Sequence, residues 1–367
     1  MPHPYEQLPP RSFWKSAVGA RPMHEIGELW SPKFSISKDE PIATLGSCFA
    51  QHISRALMEN GYTWFNAEPA PPRFPEALKA KFNYDVFSAR VGNVYTVALL
   101  RQWVRWAFGV CSPSAEVWHD RERFYDPFRP NIEPGGFTSE EELLATRAQT
   151  LRALRSMFET TRVFVFTLGL TEAWVNRDDG SIYPTCPGTL AGQFAPELHQ
   201  FKNYTYPEIY SDLSDVVRTI KEVNPNIKII LTVSPVPLVA TASSNHVLLA
   251  TIHSKSTLRA IAGDAAVQMN GIEYFPSYEI ISSFPFRGAF YEPNLRNVSN
   301  EGVAFVMRTF FASVGAPSRD VPVESQIPAG MQGLERSRMP APMSDPAESG
   351  EPIDLVCEEM ILEEMRA

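Results

Sequence analysis

The chain has 367 residues, of which 44% are hydrophobic and 20% charged, so it is long enough to bury one large core or two modest ones. Its net charge of -9, with a pI near 5.4 and no basic run, argues against a nucleic-acid-binding surface. The composition predicts one folded domain with tails, and no nucleic-acid partner.

The spacing of the cysteines and the length of the apolar runs indicate which cofactors and which cellular compartment to expect. Cys48, Cys111, Cys186 and Cys357 are scattered and show no metal-ligand spacing, so we expect neither a disulfide framework nor a zinc site. The first ten residues lack the apolar core of an export signal, and no segment approaches about 18 uninterrupted apolar residues. We therefore predict a cytoplasmic protein without a membrane span.

The N-terminal residues 1–35 are rich in proline and carry isolated aromatic residues, Phe13, Trp14 and Trp30, without periodicity. We expect this segment to wrap the domain as an arm that attaches by its rings. The domain itself is assigned to residues 36–315.

A strand followed by a helix opens this domain. The apolar run 41–45 predicts a buried strand, and Phe49, Ile53 and Leu57 recur at helical spacing until Gly61. Residues 62–65 predict a second strand, which a helix-containing connection would place parallel to the first.

Further helices and strands alternate up to residue 314. Thr96, the capping-box sequence at 138–141 and Ser299 each predict a helix start, and further helices are expected near 208–223 and 246–268. Buried strands are predicted from the apolar runs 162–168, 227–233 and 271–275. This alternation predicts a three-layer, doubly wound α/β fold, flavodoxin-like, with a mainly parallel sheet and ligands at the carboxyl ends of the strands.

Three internal segments show no clear periodicity. Residues 67–92 are expected to be irregular, 109–137 to form an excursion over the mouth of the site rather than part of the core, and 176–207 to form a loop.

Beyond residue 316 the chain becomes polar and rich in proline. We predict a disordered linker at 316–352, within an acidic tail at 316–367. Residues 353–365 are acidic, and their apolar residues Leu355, Val356, Met360 and Ile361 could share one face of a short helix. Such a helix would dock a protein partner; a frayed tail is the alternative.

The residues at 44–50, Thr-Leu-Gly-Ser-Cys-Phe-Ala, place a serine between the first strand and the first helix. A turn at Gly46 and Ser47 would leave the serine hydroxyl at the strand's carboxyl end, beside backbone N–H groups that no intrahelical carbonyl accepts. Ser47 is therefore a candidate nucleophile, and a helix N-cap is the alternative role.

The string Gly46-Ser47-Cys48-Phe49-Ala50 resembles the signature from which the GSCFA family takes its name. Further matches follow in order at 166–174, 232–236, 254–256 and 274–280, so the resemblance spans roughly residues 35–312. This family resembles the SGNH/GDSL hydrolases. The resemblance implies an SGNH-like single catalytic domain in which Ser47 is the nucleophile of an acyl-ester hydrolase, without metal or organic cofactor. It also suggests a small-molecule or carbohydrate acyl ester as substrate.

The resemblance also implies oxyanion and substrate-binding positions. The Ser47 N–H is the first candidate oxyanion donor, and Gly92 with Asn93 matches the family's second block. In the third block, Gly169 and Thr171 stand where SGNH enzymes supply an asparagine. Glu172 follows a buried strand and would either orient a base or favour a helix N-terminus.

The catalytic base is not obvious. SGNH proteins place an Asp-x-x-His pair before the last helix, whereas this chain has Asn294 and Asn297 there, and an amide cannot accept the serine proton. Among the histidines, His246 follows the strand end at Ser234 and is best placed to approach Ser47. Lys255 is the alternative, in a Ser-Lys arrangement. Hydrolase, acyltransferase of the same fold and non-catalytic binding protein all remain open at this point.

Overall fold

The computed structural model describes residues 3–315; the predicted linker and the acidic segment 353–365 lie outside them. The strands are β1 (Ile42–Gly46), β2 (Trp118–Asp120), β3 (Arg123–Tyr125), β4 (Val163–Leu168), β5 (Glu172–Asn176), β6 (Ile182–Tyr183), β7 (His199–Asn203), β8 (Lys228–Val233) and β9 (Ile272–Phe275). The helices are α1 (Ala50–Glu59), α2 (Glu76–Lys79), α3 (Val97–Ala107), α4 (Glu140–Thr160), α5 (Tyr206–Val223), α6 (Val247–Gln268), α7 (Ser277–Ser282) and α8 (Asn300–Val314). None of these helices is both long enough and apolar enough to cross a membrane.

The core is a four-stranded parallel sheet in the order β1-β4-β8-β9. Helices connect the strands, as parallel pairing requires. All four strands had been predicted from their apolar runs, and the α/β fold with a central parallel sheet is confirmed.

Both faces of the sheet are covered, which makes three layers. In β4, the side chains of Phe164 and Phe166 pack in one cluster with helices α3, α4, α5 and α6. Val163 and Val165 point the other way, into a cluster with α1, α7 and α8. This alternation explains why the strand is apolar throughout: successive side chains face opposite layers, and both layers are dry.

Three predicted helix starts are confirmed by side-chain caps. The side-chain oxygens of Thr96, Ser139 and Ser299 accept hydrogen bonds from backbone N–H groups in the first turns of α3, α4 and α8, at 3.1, 3.1 and 3.2 Å. Each bond satisfies one of the N–H groups that a helix start leaves without an intrahelical partner.

The predicted strand at 62–65 is wrong in extent, because only an isolated parallel bridge joins Trp64 to Ile42. Further along β1, the chain from residue 88 to 94 takes over the outer edge. The Ser88 N–H donates to the Thr44 carbonyl at 3.2 Å, and the Val94 N–H donates to the Gly46 carbonyl at 2.8 Å. The edge is thus occupied before a second strand can extend along it.

The predicted loop at 176–207 is also wrong, since it contributes to a second sheet. Strands β6, β5 and β7 pair antiparallel in that order. Strand β6 has only two residues and β7 is largely polar, so neither carries an apolar run that would reveal a strand.

The segment 109–137 is not a surface excursion, because Trp118 and Phe128 are buried in the main core cluster. Two of its charged residues, Asp126 and Arg129, are buried with them. Asp126 accepts hydrogen bonds from Arg129 at 2.7 Å and from Arg147 at 2.9 Å. Burial alone would raise the pKa of Asp126, but these two guanidinium groups outweigh it and lower that pKa. Paired charges therefore let a polar stretch enter the core.

The N-terminal segment packs along the layer that holds α8. Trp30 is buried, stacks on Phe310 with ring centroids 5.4 Å apart, and contacts Phe275 edge-on. Phe13 and Trp14 are exposed, although Trp14 stacks on Phe284. Of Phe13, Trp14 and Trp30, only Trp30 is buried against the core.

Gly46 allows β1 and β4 to approach closely at their carboxyl ends. Its φ is +140°, and a Cβ there would lie 2.5 Å from the Thr167 carbonyl oxygen and 2.7 Å from the Thr167 nitrogen. We predict that Gly46→Ala destabilises the protein by at least about 2 kcal/mol, because backbone strain and a backbone clash add together. Urea unfolding of the variant and the wild type measures this difference.

Gly180→Ala is the matched control. Gly180 also has a positive φ, +73°, but a Cβ there would meet nothing within 4 Å. Gly180→Ala should lower the free energy of unfolding by about 1 kcal/mol, which is the strain of the backbone conformation alone. Equal losses in the two variants would show that the contact between Gly46 and Thr167 is not tight.

Candidate active site

Ser47 lies at the carboxyl end of β1, as predicted, and is buried, with 2% of its surface exposed. Its Oγ has no hydrogen-bond partner among residues 3–315. The N-cap of α1 is Phe49, without a side-chain cap bond, so the structure does not support a capping role for the Ser47 hydroxyl. A buried hydroxyl without a partner requires an explanation, and a bound substrate or water is one.

The chain around residues 92–95 crosses the ends of β1 and β4. The Tyr95 carbonyl accepts hydrogen bonds from the N–H groups of Gly169 and Leu170, at 3.0 and 2.9 Å. Gly169 in turn packs against Ser47, since a Cβ on Gly169 would lie 3.0 Å from the Ser47 Cβ. The structure thus brings together the blocks that contain Ser47, Gly92 with Asn93, and Gly169.

Lys255 reaches the same edge of the sheet from α6. Its side chain is buried, with 1% exposed, and its Nζ donates a hydrogen bond to the Gly169 carbonyl at 2.7 Å. Ser254, the residue before it, accepts a hydrogen bond from the Thr171 N–H at 3.0 Å. Helix α6 therefore fixes the turn after β4, and Gly169 separates Lys255 from Ser47.

Thr171 and Glu172 extend the site from β4 into β5. The Thr171 Oγ1 is buried and has no hydrogen-bond partner in the described part of the chain. Glu172 accepts a hydrogen bond from the Thr241 hydroxyl at 2.9 Å. Burial raises the pKa of Glu172, while Thr241 and the nearby His253 lower it by smaller amounts. Glu172 orients neither Ser47 nor His246 through a hydrogen bond.

Two of the candidate oxyanion donors are already occupied. The Ser47 N–H donates to the Thr167 carbonyl at 3.1 Å, and the Gly169 N–H donates to Tyr95. The prediction for the Ser47 N–H is therefore wrong for this conformation, because the sheet ladder continues one residue past β1. Gly92 has φ +70°, and its N–H makes no backbone hydrogen bond within residues 3–315. Gly92 remains a candidate donor, beside the buried Asn93.

The structure does not bring His246 to Ser47. His246 is the exposed N-cap of α6, and its Nδ1 accepts a hydrogen bond from the Leu248 N–H at 3.1 Å. Asn294 also has a local role, since its side chain accepts from the N–H groups of Arg296 and Asn297, at 3.0 and 2.9 Å. The buried side chain of this turn belongs to Arg296. Neither the predicted histidine nor the two asparagines contact the serine hydroxyl.

Tyr95 and Arg296 were missed in the sequence. Tyr95 contributes through its backbone carbonyl, which any residue carries, so no side-chain pattern marks it. Arg296 stands between Asn294 and Asn297, and no pattern in the sequence marks its side chain as buried. Lys255 had been singled out, together with Ser254, as part of one family motif.

Chemically, the edge of the sheet combines unpartnered hydroxyls with one buried lysine side chain. Ser47 and Thr171 supply hydroxyls after β1 and β4, and Thr167 supplies a third within β4. Lys255 supplies the amine. The described residues contain no group of three or more His, Cys, Asp or Glu side chains that could hold a metal ion. Such a site suits a small polar ligand or an acyl group held against Ser47.

The protein is a mixed α/β domain with a central parallel sheet and a serine at the carboxyl end of the first strand. Residues 41–310 match the GSCFA family, and the chain belongs to that family. The crystal structure of a carbohydrate esterase family 3 from Talaromyces cellulolyticus is similar at 12% identity and a TM-score of 0.34, over 75% of this chain and 96% of that chain. A second solved structure has 16% identity and a TM-score of 0.26, over 45% of this chain and 69% of that chain. No curated protein matches the sequence significantly.

His52 provides a pH test close to the Ser47 motif. It is buried on α1, and burial, with a smaller contribution from Arg55, lowers its pKa from 6.5 to about 4. Above pH 6.5 the histidine is neutral in both states. As the pH falls towards 4, the unfolded chain takes up a proton that the folded protein resists, so stability falls. We predict a loss of about 3 kcal/mol across this range.

Urea unfolding gives the free energy of unfolding of the wild type and of His52→Gln between pH 7 and pH 4. The difference between the two proteins should change by this amount across the range. His119→Gln, at an exposed histidine of β2, is the control and should follow the wild type. Parallel pH curves for the wild type and His52→Gln would contradict the prediction.

Proposed function

We propose that this protein is an SGNH-type serine hydrolase in which Ser47 attacks an acyl ester. The observation that carries the proposal is the buried Ser47 Oγ without a hydrogen-bond partner, inside the family signature and at the carboxyl end of β1. Parallel α/β sheets bind ligands at this edge. The family's resemblance to SGNH hydrolases supports an acyl ester, with O-acylated carbohydrate as the preferred substrate class.

We propose Lys255, rather than His246, as the base. The buried Lys255 Nζ lies at the Gly169 carbonyl, and Gly169 packs against Ser47, so Lys255 is the candidate base that the fold brings to this edge of the sheet. His246 is exposed, and one of its ring nitrogens already caps α6. A rotation of the Lys255 side chain away from the Gly169 carbonyl would be needed, and catalytic hydrogen bonds often tighten only when substrate binds.

The proposed reaction has two steps, acylation of Ser47 and hydrolysis of the acyl-enzyme. The Ser47 Oγ attacks the acyl carbonyl carbon while its proton passes to the neutral Lys255 Nζ, and the departing alcohol leaves with that proton. Water attacks the acyl-enzyme, releases the carboxylic acid and restores the Ser47 hydroxyl. The Gly92 N–H and the Thr171 hydroxyl are proposed to face the oxyanion, because neither has a partner in the described structure.

Burial of Ser47 favours a second candidate, a non-catalytic binding protein that kept the fold. The hydroxyl is shielded from solvent, its N–H is used by Thr167, and the Asp-x-x-His pair is absent. A hydrolase must therefore open the segment around 92–95 or 169–171 to admit its substrate. An acyltransferase would need the same opening and an acceptor alcohol in place of water.

The first test replaces the nucleophile. We predict that Ser47→Ala lowers kcat/KM on a panel of short acyl esters by roughly 10³-fold or more, because only binding and oxyanion contributions remain. A fluorophosphonate probe should label the wild type at Ser47 and fail to label the variant. A rate that increases only when an alcohol is added would identify an acyltransferase.

Ser299→Ala is the matched control for this substitution. It removes the cap of α8 and should cost about 1 kcal/mol of stability while leaving esterase activity unchanged. Identical ester turnover by the wild type and Ser47→Ala, with no probe labelling of either, would favour the binding protein.

The second test separates the two bases. We predict that Lys255→Met lowers kcat/KM by about 10²- to 10⁴-fold, the usual contribution of a positioned base, and moves the pH profile of fluorophosphonate labelling. His246→Ala should leave kcat/KM within about 2-fold and cost only the α6 cap. Unfolding curves for both variants control for misfolding. The reverse result would identify His246 as the base.

A further inference from the structure

A cavity lies between residues 14–29 of the N-terminal segment and residues 276–287, and none of the candidate active-site residues lines it. We call it the arm cavity. It has two lobes, of about 370 and 270 Å³, and their shared lining includes Trp14, Val18 and Phe284. Small-molecule sites in proteins occupy about 300–1,000 Å³, so the arm cavity is large enough for an organic ligand.

The larger lobe carries positive charge. Arg21 and Arg287 line it, and both are exposed. The Arg21 Nε and Nη1 donate to the carbonyls of Ser16 and Glu25, at 2.8 and 3.3 Å, which holds this guanidinium in place without neutralising it. The Arg287 side chain makes no hydrogen bond or ion pair with any residue from 3 to 315. The larger lobe therefore offers two cations to an anionic group.

The smaller lobe is apolar. Its lining consists mainly of hydrophobic side chains, among them Ile26, Leu29, Ile280 and Phe286. Glu279 and Ser283 also line it, but the protein itself uses their polar groups. The Glu279 carboxylate pairs with Arg259 and accepts a hydrogen bond from the Tyr274 hydroxyl at 2.7 Å. The Ser283 hydroxyl donates to the Glu279 carbonyl. This lobe therefore suits a hydrocarbon group.

Two exposed aromatic rings border both lobes. The rings of Trp14 and Phe284 stack with centroids 5.5 Å apart, yet the two residues are 58% and 77% exposed. Large apolar surface that stays exposed beside a cavity is typical of a ligand groove, because a bound apolar group would remove it from water. A ligand that reaches from one lobe to the other would cover these rings.

We propose that the arm cavity binds a free fatty-acid anion, with its carboxylate at Arg21 and Arg287 and its hydrocarbon chain in the smaller lobe. A guanidinium presents parallel N–H donors that match the two oxygens of a carboxylate. An inorganic anion would use the arginines alone, and a neutral hydrocarbon would use the smaller lobe alone. A molecule with both parts uses the whole cavity. This inference is independent of the proposed hydrolase activity.

Calorimetric titration of the full chain with decanoate, below the concentration at which it forms micelles, tests the proposal. We expect decanoate to bind at least about 20-fold tighter than hexanoate, because each buried methylene contributes roughly a factor of four. It should also bind at least about 5-fold tighter than decanol, which lacks the charge that the arginines would pair with. Equal dissociation constants for decanoate and decanol, or no saturable binding of decanoate, would overturn the proposal.

Arginine variants locate the carboxylate. Arg287→Gln should weaken decanoate binding by about 10-fold and leave decanol within about 2-fold, because it removes a charge-assisted hydrogen bond. It should not affect folding, since the side chain contacts no described residue through a polar group. Arg152→Gln is the matched control, at an exposed arginine of α4, which packs on the opposite face of the sheet. An equal effect of the two substitutions would contradict the assignment.

A third variant tests the apolar part of the site. Phe284→Ala should weaken decanoate and decanol alike, by about 5-fold or more, because it removes apolar surface from both lobes. Leu249→Ala, at a side chain of α6 that is 60% exposed, is the control and should change neither. Urea unfolding checks that each variant folds.

A membrane surface is the other source of an anionic head group on a hydrocarbon chain. Binding to phosphatidylglycerol vesicles that Arg287→Gln weakens, without any binding of free decanoate, would assign the arginines to a membrane surface and overturn the proposal. None of these measurements uses ester turnover. A failure here is therefore distinct from a failure of Ser47 to act as a nucleophile.

Discussion

The contact between Gly46 and Thr167 is the constraint on which the candidate site depends. At this point the backbones of β1 and β4 are so close that a Cβ on residue 46 would overlap the Thr167 peptide group. The ladder continues through the Ser47 N–H to the Thr167 carbonyl, so the chain leaves the sheet only after the serine. The backbone of Ser47 is therefore held by the sheet, while its hydroxyl is left without a partner at the edge.

Backbone groups build most of the surroundings of that hydroxyl. The Tyr95 carbonyl ties the turn after β4 to the segment that begins at Gly92, and the Gly169 carbonyl accepts a hydrogen bond from the Lys255 Nζ. Carbonyl and amide positions tolerate many side chains, so this frame can persist while the groups that face a substrate change. This explains how the fold around Ser47 is kept with asparagines at positions 294 and 297.

The two layers of the domain have separate roles. Helix α6 brings Lys255 and Ser254 to the turn at Gly169 and Thr171 from one face of the sheet, whereas α7, α8 and the N-terminal segment form the other layer. The buried carboxylate of Asp126, held by Arg129 and Arg147, adds a third region in which charges replace apolar packing.

The sequence by itself determined the elements whose signals are local. Apolar runs such as 163–168 and caps such as Thr96 and Ser299 specify strands and helix starts, because spacing and hydrogen bonding within a few residues decide them. The Gly46-Ser47 turn and the family followed from one short string. Local pattern could not show that residues 88–94 displace a strand at 62–65, or that polar residues within 176–207 pair into a sheet. These outcomes depend on which distant segments compete for the same hydrogen-bonding edge. For the same reason, only the tertiary structure placed Lys255 at the Gly169 carbonyl, left His246 exposed on α6 and paired the Ser47 N–H with the Thr167 carbonyl.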